Sequence, residues 1–360
     1  MAERKSDEAK KTLDGFSDAS VAFVGAPVKK TEVAKEREKT PVEDLLDEDD
    51  DPFDDLVGSG RSDAAFTASD AKIRKGNYVI PFGLPGSGKT TFLASIFKYI
   101  DESPLLDSQI VIPERKKVPN YAGQAMLNDW QRIFNSGRFL GATQVGDSGI
   151  RELTYEVQPN KGQKTKLNFS VVEVSGEDLV KVIADAGRDP KLPPALEAIF
   201  QNPAVRPTIV LVVHPNQLEN DLLFNNLFSW LRRNVKSRIS TFSLAVVIAN
   251  PELALRRLHK RKPETAGQDR MGGKLALIYL QEFAPKTFSI YNGWNKSKRA
   301  ISPFHVGEIR SSEENGETVE RIVRFHEKNA NQIFSWIYGQ FTGKKLGRTL
   351  LQRLFKKMNG

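Results

Sequence analysis

Cysteine is absent from this chain of 360 residues, and histidine occurs only four times. The lack of cysteine excludes a disulfide scaffold, a cysteine nucleophile, an iron–sulfur cluster and a thiolate zinc site. The four histidines are scattered along the chain, and none stands at metal-ligand spacing from another, at His214, His259, His305 and His326. The composition therefore argues against a zinc enzyme.

Long apolar runs are also absent. The first residues, MAERKSDEAKKTLDG, lack the apolar core of a signal peptide, and no segment approaches the ~18 to 20 apolar residues that span a bilayer. Hydrophobic residues nevertheless make up 39% of the sequence, which is enough for a sizeable core. We therefore expect a cytoplasmic protein whose contact with membrane, if any, is peripheral.

Charge is distributed unevenly along the chain. The formal net charge is +8, but residues 1–75 hold 19 acidic and 13 basic residues, a balance of −6 that leaves +14 for residues 76–360. The run Glu43 to Asp55 packs nine acids into thirteen positions, which is too dense to bury. Residues 1–75 are therefore predicted to form a disordered acidic tail. The tail either solubilises the chain or binds a protein partner through the apolar residues among its acids, Leu45, Leu46, Phe53 and Leu56.

A glycine-rich motif follows the start of the basic part. KGNYVIPF predicts a strand, TFLASIFKYI predicts a helix, and GLPGSGKT between them matches G-x-x-x-x-G-K-[ST]. Glycines let successive backbone N–H groups turn towards phosphate oxygens, and the following helix N-terminus adds positive potential. The motif predicts a phosphate-binding loop whose residues are Gly83, Leu84, Pro85, Gly86, Ser87, Gly88, Lys89 and Thr90, followed by Thr91.

Two side chains of this loop have specific predicted roles. Lys89 is expected to contact the β- and γ-phosphates of a nucleoside triphosphate and to support catalysis, and the Thr90 hydroxyl is expected to ligate Mg²⁺. The alternative is a glycine-rich turn without a ligand, which the flanking strand and helix disfavour.

A second candidate segment lies further along. RELTYEVQPNKGQKTKLNFSVVEVS, residues 151–175, predicts a β-hairpin. Its second strand ends in an acid and then turns through glycine, so Glu173 is predicted near the metal and Gly176 near the γ-phosphate. Glu177 could orient or deprotonate an attacking water. The alternatives are a surface turn for Glu173 and stabilisation of a helix dipole by Glu177.

The order of these parts resembles the translation-factor-related class of GTPases, and within it the bacterial double-GTPase-like families. That class has a P-loop, a switch threonine, a β-hairpin, D-x-x-G, an apolar strand and N/T-K-x-D. Here GLPGSGKT, WQRIFNSGRFLGATQ with Thr143, the hairpin, EVSGE, PTIVLVVHP and FSLAVVIANPEL follow in that order. The resemblance covers roughly residues 76–342. It implies a Mg²⁺-dependent switch that binds and hydrolyses GTP, with Thr143 at the metal.

Two motifs depart from that class. Glu173 stands where the class has aspartate, and its longer side chain alters the geometry at the metal. The class reads guanine with N/T-K-x-D, whereas this chain has ANPE, so Asn250 replaces the stacking lysine and Glu252 supplies the carboxylate. Glu252 could still accept hydrogen bonds from guanine. We therefore expect only a modest preference for GTP over ATP.

The sequence leaves open which residue would assist hydrolysis and whether hydrolysis occurs. Arg138, Arg151 and Arg188 are candidate cations for transition-state charge, and the sequence selects none of them. The second function considered is a nucleotide-gated interaction or scaffold protein that binds GTP or ATP with little or no hydrolysis. The degenerate base-reading motif favours this alternative, whereas Thr143 and Glu177 favour turnover.

The last residues, 343–360, contain six basic residues and no acid, and an apolar residue, usually leucine, recurs at every fourth position. This pattern predicts a basic amphipathic helix. The helix could pack on its own domain, lie on an anionic membrane surface or receive an acidic protein segment, including the tail of this chain. Specific nucleic-acid binding is disfavoured, because no aromatic residues interleave with the basic ones in a way that would stack on bases.

These patterns together predict a three-layer α/β P-loop NTPase domain over residues 76–342. Its sheet should be mostly parallel, with one antiparallel edge formed by the hairpin. After residue 273 we expect a helix, a strand with a long basic turn, and the strand TVERIVRFHE. A final helix is predicted to place an apolar face on the sheet, with the residues Ile333, Phe334, Trp336 and Ile337.

Overall fold

The computed structural model of the chain describes residues 66–115, 118–119, 121–137, 139, 150–160, 165–182, 189–314 and 317–346. The predicted acidic tail up to residue 65 lies outside the described residues. So do nearly all of the predicted C-terminal helix, from residue 347 onwards, and the stretch that contains Thr143.

The chain alternates between strands and helices in the described ranges. The strands are β1 (Gly76–Phe82), β2 (Leu106–Val111), β3 (Glu114–Arg115), β4 (Val118–Pro119), β5 (Ile150–Pro159), β6 (Leu167–Val174), β7 (Val205–Val213), β8 (Ser243–Ala249), β9 (Arg299–Phe304), β10 (Gly307–Glu314) and β11 (Glu317–Phe325). The helices are α1 (Ala68–Ile73), α2 (Lys89–Glu102), α3 (Ala122–Ser136), α4 (Gly176–Val180), α5 (Pro194–Gln201), α6 (Asn220–Asn234), α7 (Pro251–Arg261), α8 (Gly273–Phe283), α9 (Pro285–Gly293) and α10 (Glu327–Thr342).

Seven strands form the main sheet in the order β2–β5–β6–β1–β7–β8–β9. Strands β6, β1, β7, β8 and β9 are parallel, whereas β5 is antiparallel to both β6 and β2. The predicted α/β class and mostly parallel sheet are confirmed. The hairpin strand β5 is not the edge, however, because β2 pairs outside it. The sequence of β2 is LDSQIV, and three of its six residues are polar, so it gives no strong strand pattern.

Apolar side chains pack on both faces of this sheet. In β7, Leu211 and Val213 belong to one buried cluster with α5, α6, α8 and α9, and Val210 and Val212 belong to another with α2, α3 and α10. Successive residues of a strand point to opposite faces, so the sheet lies between helices on both sides. This explains why β7 and β8 are nearly continuous apolar runs. Within the described ranges, no helix combines the length and the apolar character that crossing a bilayer requires.

The described part of the chain starts at Phe66, ten residues before the predicted start of the domain at residue 76. A capping box begins α1 after Thr67. The Asn202 amide donates to the carbonyl oxygens of Ala71 at 2.9 Å and Arg74 at 2.7 Å. Arg74 also pairs at 2.8 Å with Glu152, which is buried in β5. Such a short polar helix has little periodic signal, and tertiary hydrogen bonds hold it in place.

The region after residue 273 also differs from the prediction. The prediction was one helix followed by a strand, whereas a second helix, α9, follows α8 before the strand β9. Pro285 occupies the first helical turn of α9, and Asp221 of α6 accepts hydrogen bonds from the N–H groups of Lys286 at 3.1 Å and Thr287 at 2.6 Å. The helix start is therefore stabilised by a distant residue that local patterns do not reveal. The final predicted helix is observed as α10, although Trp336 is only partly buried.

We expect Asn202→Ala to destabilise the protein by about 2 kcal/mol, because it removes the donor shared by the carbonyls of α1. Urea unfolding would measure the free energy of unfolding. Asn234→Ala is the matched control and should cost much less, since the hydrogen bond that the structure describes for the Asn234 amide is to the Trp230 carbonyl of its own helix. Equal effects of the two substitutions would contradict this role of Asn202.

Candidate functional site

A cavity of about 760 Å³ opens at the carboxyl ends of the parallel strands. Its wall includes residues from the connections that follow β1, β6, β7, β8 and β9. The chain moves from β1 to one side of the sheet and then returns past β1 to β7. Open α/β sheets bind ligands beside such a reversal of strand order. The cavity therefore lies where this architecture favours a ligand.

Glycine conformations determine the path of the loop after β1. Gly86 and Gly88 have φ angles of 72° and 90°, a region that residues with a Cβ rarely adopt. The loop leads directly into α2, which begins at Lys89, and no described side chain caps this helix start. The N-terminus of a helix carries partial positive charge. The loop thus presents backbone N–H groups and a positive helix end beside the cavity.

The ammonium of Lys89 is enclosed by this loop. The residue is only 7% exposed, and its Nζ donates to the carbonyl oxygens of Gly83 at 2.5 Å and Leu84 at 3.1 Å. Burial lowers the pKa of Lys89 to about 8, while the charge of Glu173 opposes that shift. A buried cation held mainly by neutral carbonyls favours an anionic ligand.

Glu173, at the end of β6, connects the loop to the neighbouring hairpin. The Thr90 hydroxyl donates to its Oε1 at 2.9 Å, and the Arg151 guanidinium donates to its Oε2 at 2.7 Å. Arg151 stands directly opposite Glu173 in the β5–β6 register, which brings cross-strand side chains together. Arg151 also contacts Asp129 of α3 at 3.1 Å. Its charge is therefore engaged by two carboxylates.

The turn after β6 packs against the loop. A Cβ added to Gly176 would lie 2.4 Å from the backbone nitrogen of Pro85 and 2.7 Å from its Cα. Ser175 caps α4 by accepting a hydrogen bond from the Glu177 N–H at 3.2 Å. The Glu177 side chain is exposed and lines the cavity. Only glycine permits this approach of the turn to the loop.

Two residues that were not predicted hold the loop from its other side. Asn220 Oδ1 accepts a hydrogen bond from the Leu84 N–H at 2.8 Å, and the Gln217 amide donates to the Pro85 carbonyl. Asn220 is 1% exposed, so its hydrogen bond is shielded from water. The available signal was the polar run HPNQLEN directly after the apolar strand β7.

Another part of the cavity wall is formed where β8 and β9 end. Asn250 adopts a φ of 47°, and its Oδ1 accepts from the Leu253 N–H at 3.2 Å, so its amide caps α7. His305, which had no predicted role, donates from Nδ1 to Glu252 Oε1 at 2.6 Å. This hydrogen bond lowers the pKa of Glu252. Asn250 and Glu252 thus line the cavity but are already engaged in local contacts.

Most predicted site residues lie together. The cavity wall includes Pro85, Gly86, Ser87, Gly88, Lys89, Thr90, Thr91, Glu173, Gly176, Glu177, Asn250 and Glu252. Gly83 and Leu84 contribute to the loop through their carbonyl contacts with Lys89. The predicted metal ligand Thr143 and the candidate cations Arg138 and Arg188 lie outside the described residues.

Oxygen donors at the loop suit a hard cation. Across the described ranges, no cluster of three or more His, Asp or Glu side chains could hold a metal by itself. The Thr90 hydroxyl and the Glu173 carboxylate are adjacent, and Mg²⁺ commonly takes one or two such protein ligands together with water and phosphate oxygens. The hydroxyl of Ser87 is buried without a hydrogen-bond partner among the described atoms. These residues therefore fit Mg²⁺ together with a phosphate ligand.

Sequence comparisons leave function to be inferred from the cavity itself. Neither the protein-family models nor the curated proteins gave a match to this chain. The chemistry of the wall is nevertheless specific. A buried ammonium and a helix N-terminus favour a polyanion, and the hydroxyl–carboxylate pair favours its divalent counterion.

We expect Gly176→Ala to destabilise the protein by about 1–3 kcal/mol, because the added methyl group would overlap the Pro85 backbone. Gly273→Ala is the matched control. Gly273 also begins a helix, but no described atom lies within 4 Å of its hypothetical Cβ. Alanine should be neutral or stabilising there, since it favours helices. Urea unfolding of both variants measures the difference, and equal stabilities would contradict the close approach.

Proposed function

We propose that the chain is a GTPase-like P-loop NTPase, a switch that binds a nucleoside triphosphate with Mg²⁺ in this cavity and hydrolyses it. The observation that best supports this proposal is the junction of β1 and α2. There the buried Lys89 ammonium, the uncapped helix start and the Thr90–Glu173 pair converge on one loop. Each of these groups suits a different part of a metal-bound phosphate chain.

Each residue then has a distinct role. Lys89 exchanges its carbonyl partners for β- and γ-phosphate oxygens, and Thr90 and Glu173 hold Mg²⁺. When bound, the metal supplies positive charge that neutralises the phosphates. The backbone of Gly176, close to the loop, binds near the γ-phosphate. Glu177, exposed on the cavity wall, orients a water for attack.

One observation favours the second candidate, a nucleotide-gated scaffold that binds GTP or ATP with little hydrolysis. Arg151 is the one described residue among the three arginines considered as transition-state cations, and its guanidinium is engaged by Glu173 and Asp129. An arginine so engaged is not poised to stabilise developing charge on a phosphate. Under this alternative, the nucleotide would order the loop and the adjoining turn without being consumed.

The remaining proposals concern partners and location. A protein effector would bind through the acidic tail, residues 1–75, or through the basic segment, residues 343–360. The same basic segment would give a cytoplasmic protein a peripheral attachment to an anionic membrane surface. Specific nucleic-acid binding is not part of the proposal.

Titration of the full chain with GTP and ATP, with and without Mg²⁺, tests the proposal. We expect at least one triphosphate to bind more tightly than about 1 mM. Lys89→Met should reduce triphosphate affinity at least about tenfold, because it removes a charge-assisted contact. It should reduce diphosphate affinity less. Lys260→Met, on the exposed last turn of α7, is the matched control and should leave both affinities unchanged.

The same Lys89→Met variant should be more stable than the unaltered chain when no ligand is bound. The pKa of Lys89 in the folded chain, about 8, is below the ordinary 10.5 of lysine. Burial of the cation therefore lowers the free energy of unfolding by its full amount below pH 8, and this penalty disappears above pH 10.5. Urea unfolding at pH 7 should show a gain of up to about 3 kcal/mol. A gain in stability with a loss of binding excludes misfolding as the cause of the loss.

Glu177→Ala separates the two candidate functions. If the chain is an enzyme, this variant should retain triphosphate binding and lose phosphate release, since the water-orienting carboxylate is removed. Phosphate release is measured at saturating nucleotide. Failure of any triphosphate to bind the unaltered chain would overturn the proposed function, and binding with no turnover at all would select the scaffold.

A further inference from the structure

A carboxylate and an imidazole lie together in the cavity wall where β8 and β9 end. Glu252 lies in the first turn of α7, directly after β8, and His305 directly follows β9. The two strands are parallel neighbours, with Ala249 in register with Phe304. Their connections therefore leave the sheet side by side. The His305 Nδ1 and Glu252 Oε1 atoms are 2.6 Å apart.

The position of this pair suits the base of a nucleotide rather than its phosphates. Neighbouring strands lie ~4.8 Å apart, so β8 and β9 are roughly 10 and 14 Å from β1 across the sheet. Lys89, Glu252 and His305 all line the same cavity. A nucleotide whose phosphates occupy the loop after β1 would therefore extend its base towards the ends of β8 and β9.

Hydrogen-bond donors and acceptors determine whether a carboxylate favours guanine or adenine. Guanine presents two adjacent N–H donors, on N1 and the 2-amino group, which match the two oxygens of a carboxylate. Adenine presents one donor beside an acceptor and gains much less from a carboxylate. In this chain one oxygen of Glu252 already accepts a hydrogen bond from His305 Nδ1 at 2.6 Å.

We propose that His305 determines base selection: it holds Glu252 in a pair that competes with guanine, so that the unaltered chain binds GTP and ATP with similar affinities. This inference deepens the proposed function and rests on it. The cavity wall also carries other charged and titratable groups, namely Arg256 of α7, Glu308 and Glu320 of the β10–β11 hairpin, and His326 before α10. Glu308 and Glu320 are also carboxylates, but they stand on the β10–β11 hairpin and do not directly follow the parallel strands β8 and β9.

The exposure of the pair makes a purely structural role a poor explanation. The Glu252 side chain is 62% exposed and that of His305 is 31% exposed. Ion pairs so accessible to water contribute little to stability, at most about 1 kcal/mol. Substitutions at either position should therefore leave the fold intact, and a change in base selection can be measured in a folded protein.

The test is a titration of the full chain with GTP, ITP and ATP. ITP carries a guanine-like ring without the 2-amino donor. His305→Ala should raise the ratio of GTP to ATP affinity about five- to tenfold, because both oxygens of Glu252 become available to a charge-assisted contact. The ITP to ATP ratio should rise less. Glu252→Gln and the double variant should keep a ratio near that of the unaltered chain.

Glu282→Gln provides the matched control. It removes a carboxylate from the Lys262–Glu282 pair, which is not part of the cavity wall, and it should leave the ratio unchanged. An unchanged ratio in a folded His305→Ala variant would overturn this inference alone. So would a strong preference for GTP in the unaltered chain that His305→Ala removes. Failure of every triphosphate to bind the unaltered chain would instead overturn the proposed function, and this inference with it.

Discussion

The common direction of five strands is the constraint on which the whole cavity depends. Because β6, β1, β7, β8 and β9 are parallel, their carboxyl ends meet at one edge of the sheet. Residues separated by more than two hundred positions, from Lys89 to His305, therefore line the same wall. Reversal of any one of these strands would move its connection to the opposite edge. The parallel sheet in turn requires helices on both faces, which accounts for the two buried clusters.

Contacts from three sides hold the loop after β1. Gly176 approaches Pro85 from the β6 side, the amides of Gln217 and Asn220 bind the loop from the β7 side, and Lys89 binds its carbonyls from within. Burial of a cation opposes folding. The loop therefore keeps a destabilising charge within a frame that is held from three sides, which suits the proposed role in binding an anion.

Local patterns predicted the strand–loop–helix around Lys89 and the strand that ends at Glu173, because both combine strong apolar runs with a distinctive motif. They failed where distant residues decide the structure. Helix α9 depends on a cap from Asp221, and α1 depends on Asn202. The partners of the site acids were hidden for the same reason. Arg151 and His305 become partners only through strand register and strand adjacency, which a single sequence does not display.

Two acids of the cavity wall, Glu173 and Glu252, already have side-chain partners. Arg151 engages Glu173 beside the loop that follows β1, and His305 engages Glu252 where β8 and β9 end. A ligand that recruits either acid must compete with a partner already in place, so part of its binding free energy is used in exchanging contacts. A ligand that replaced the contact between Arg151 and Glu173 would also affect α3, because Arg151 contacts Asp129 on that helix. Occupancy of the loop would in this way bias the position of a helix outside the cavity, which is the coupling that the proposed switch requires.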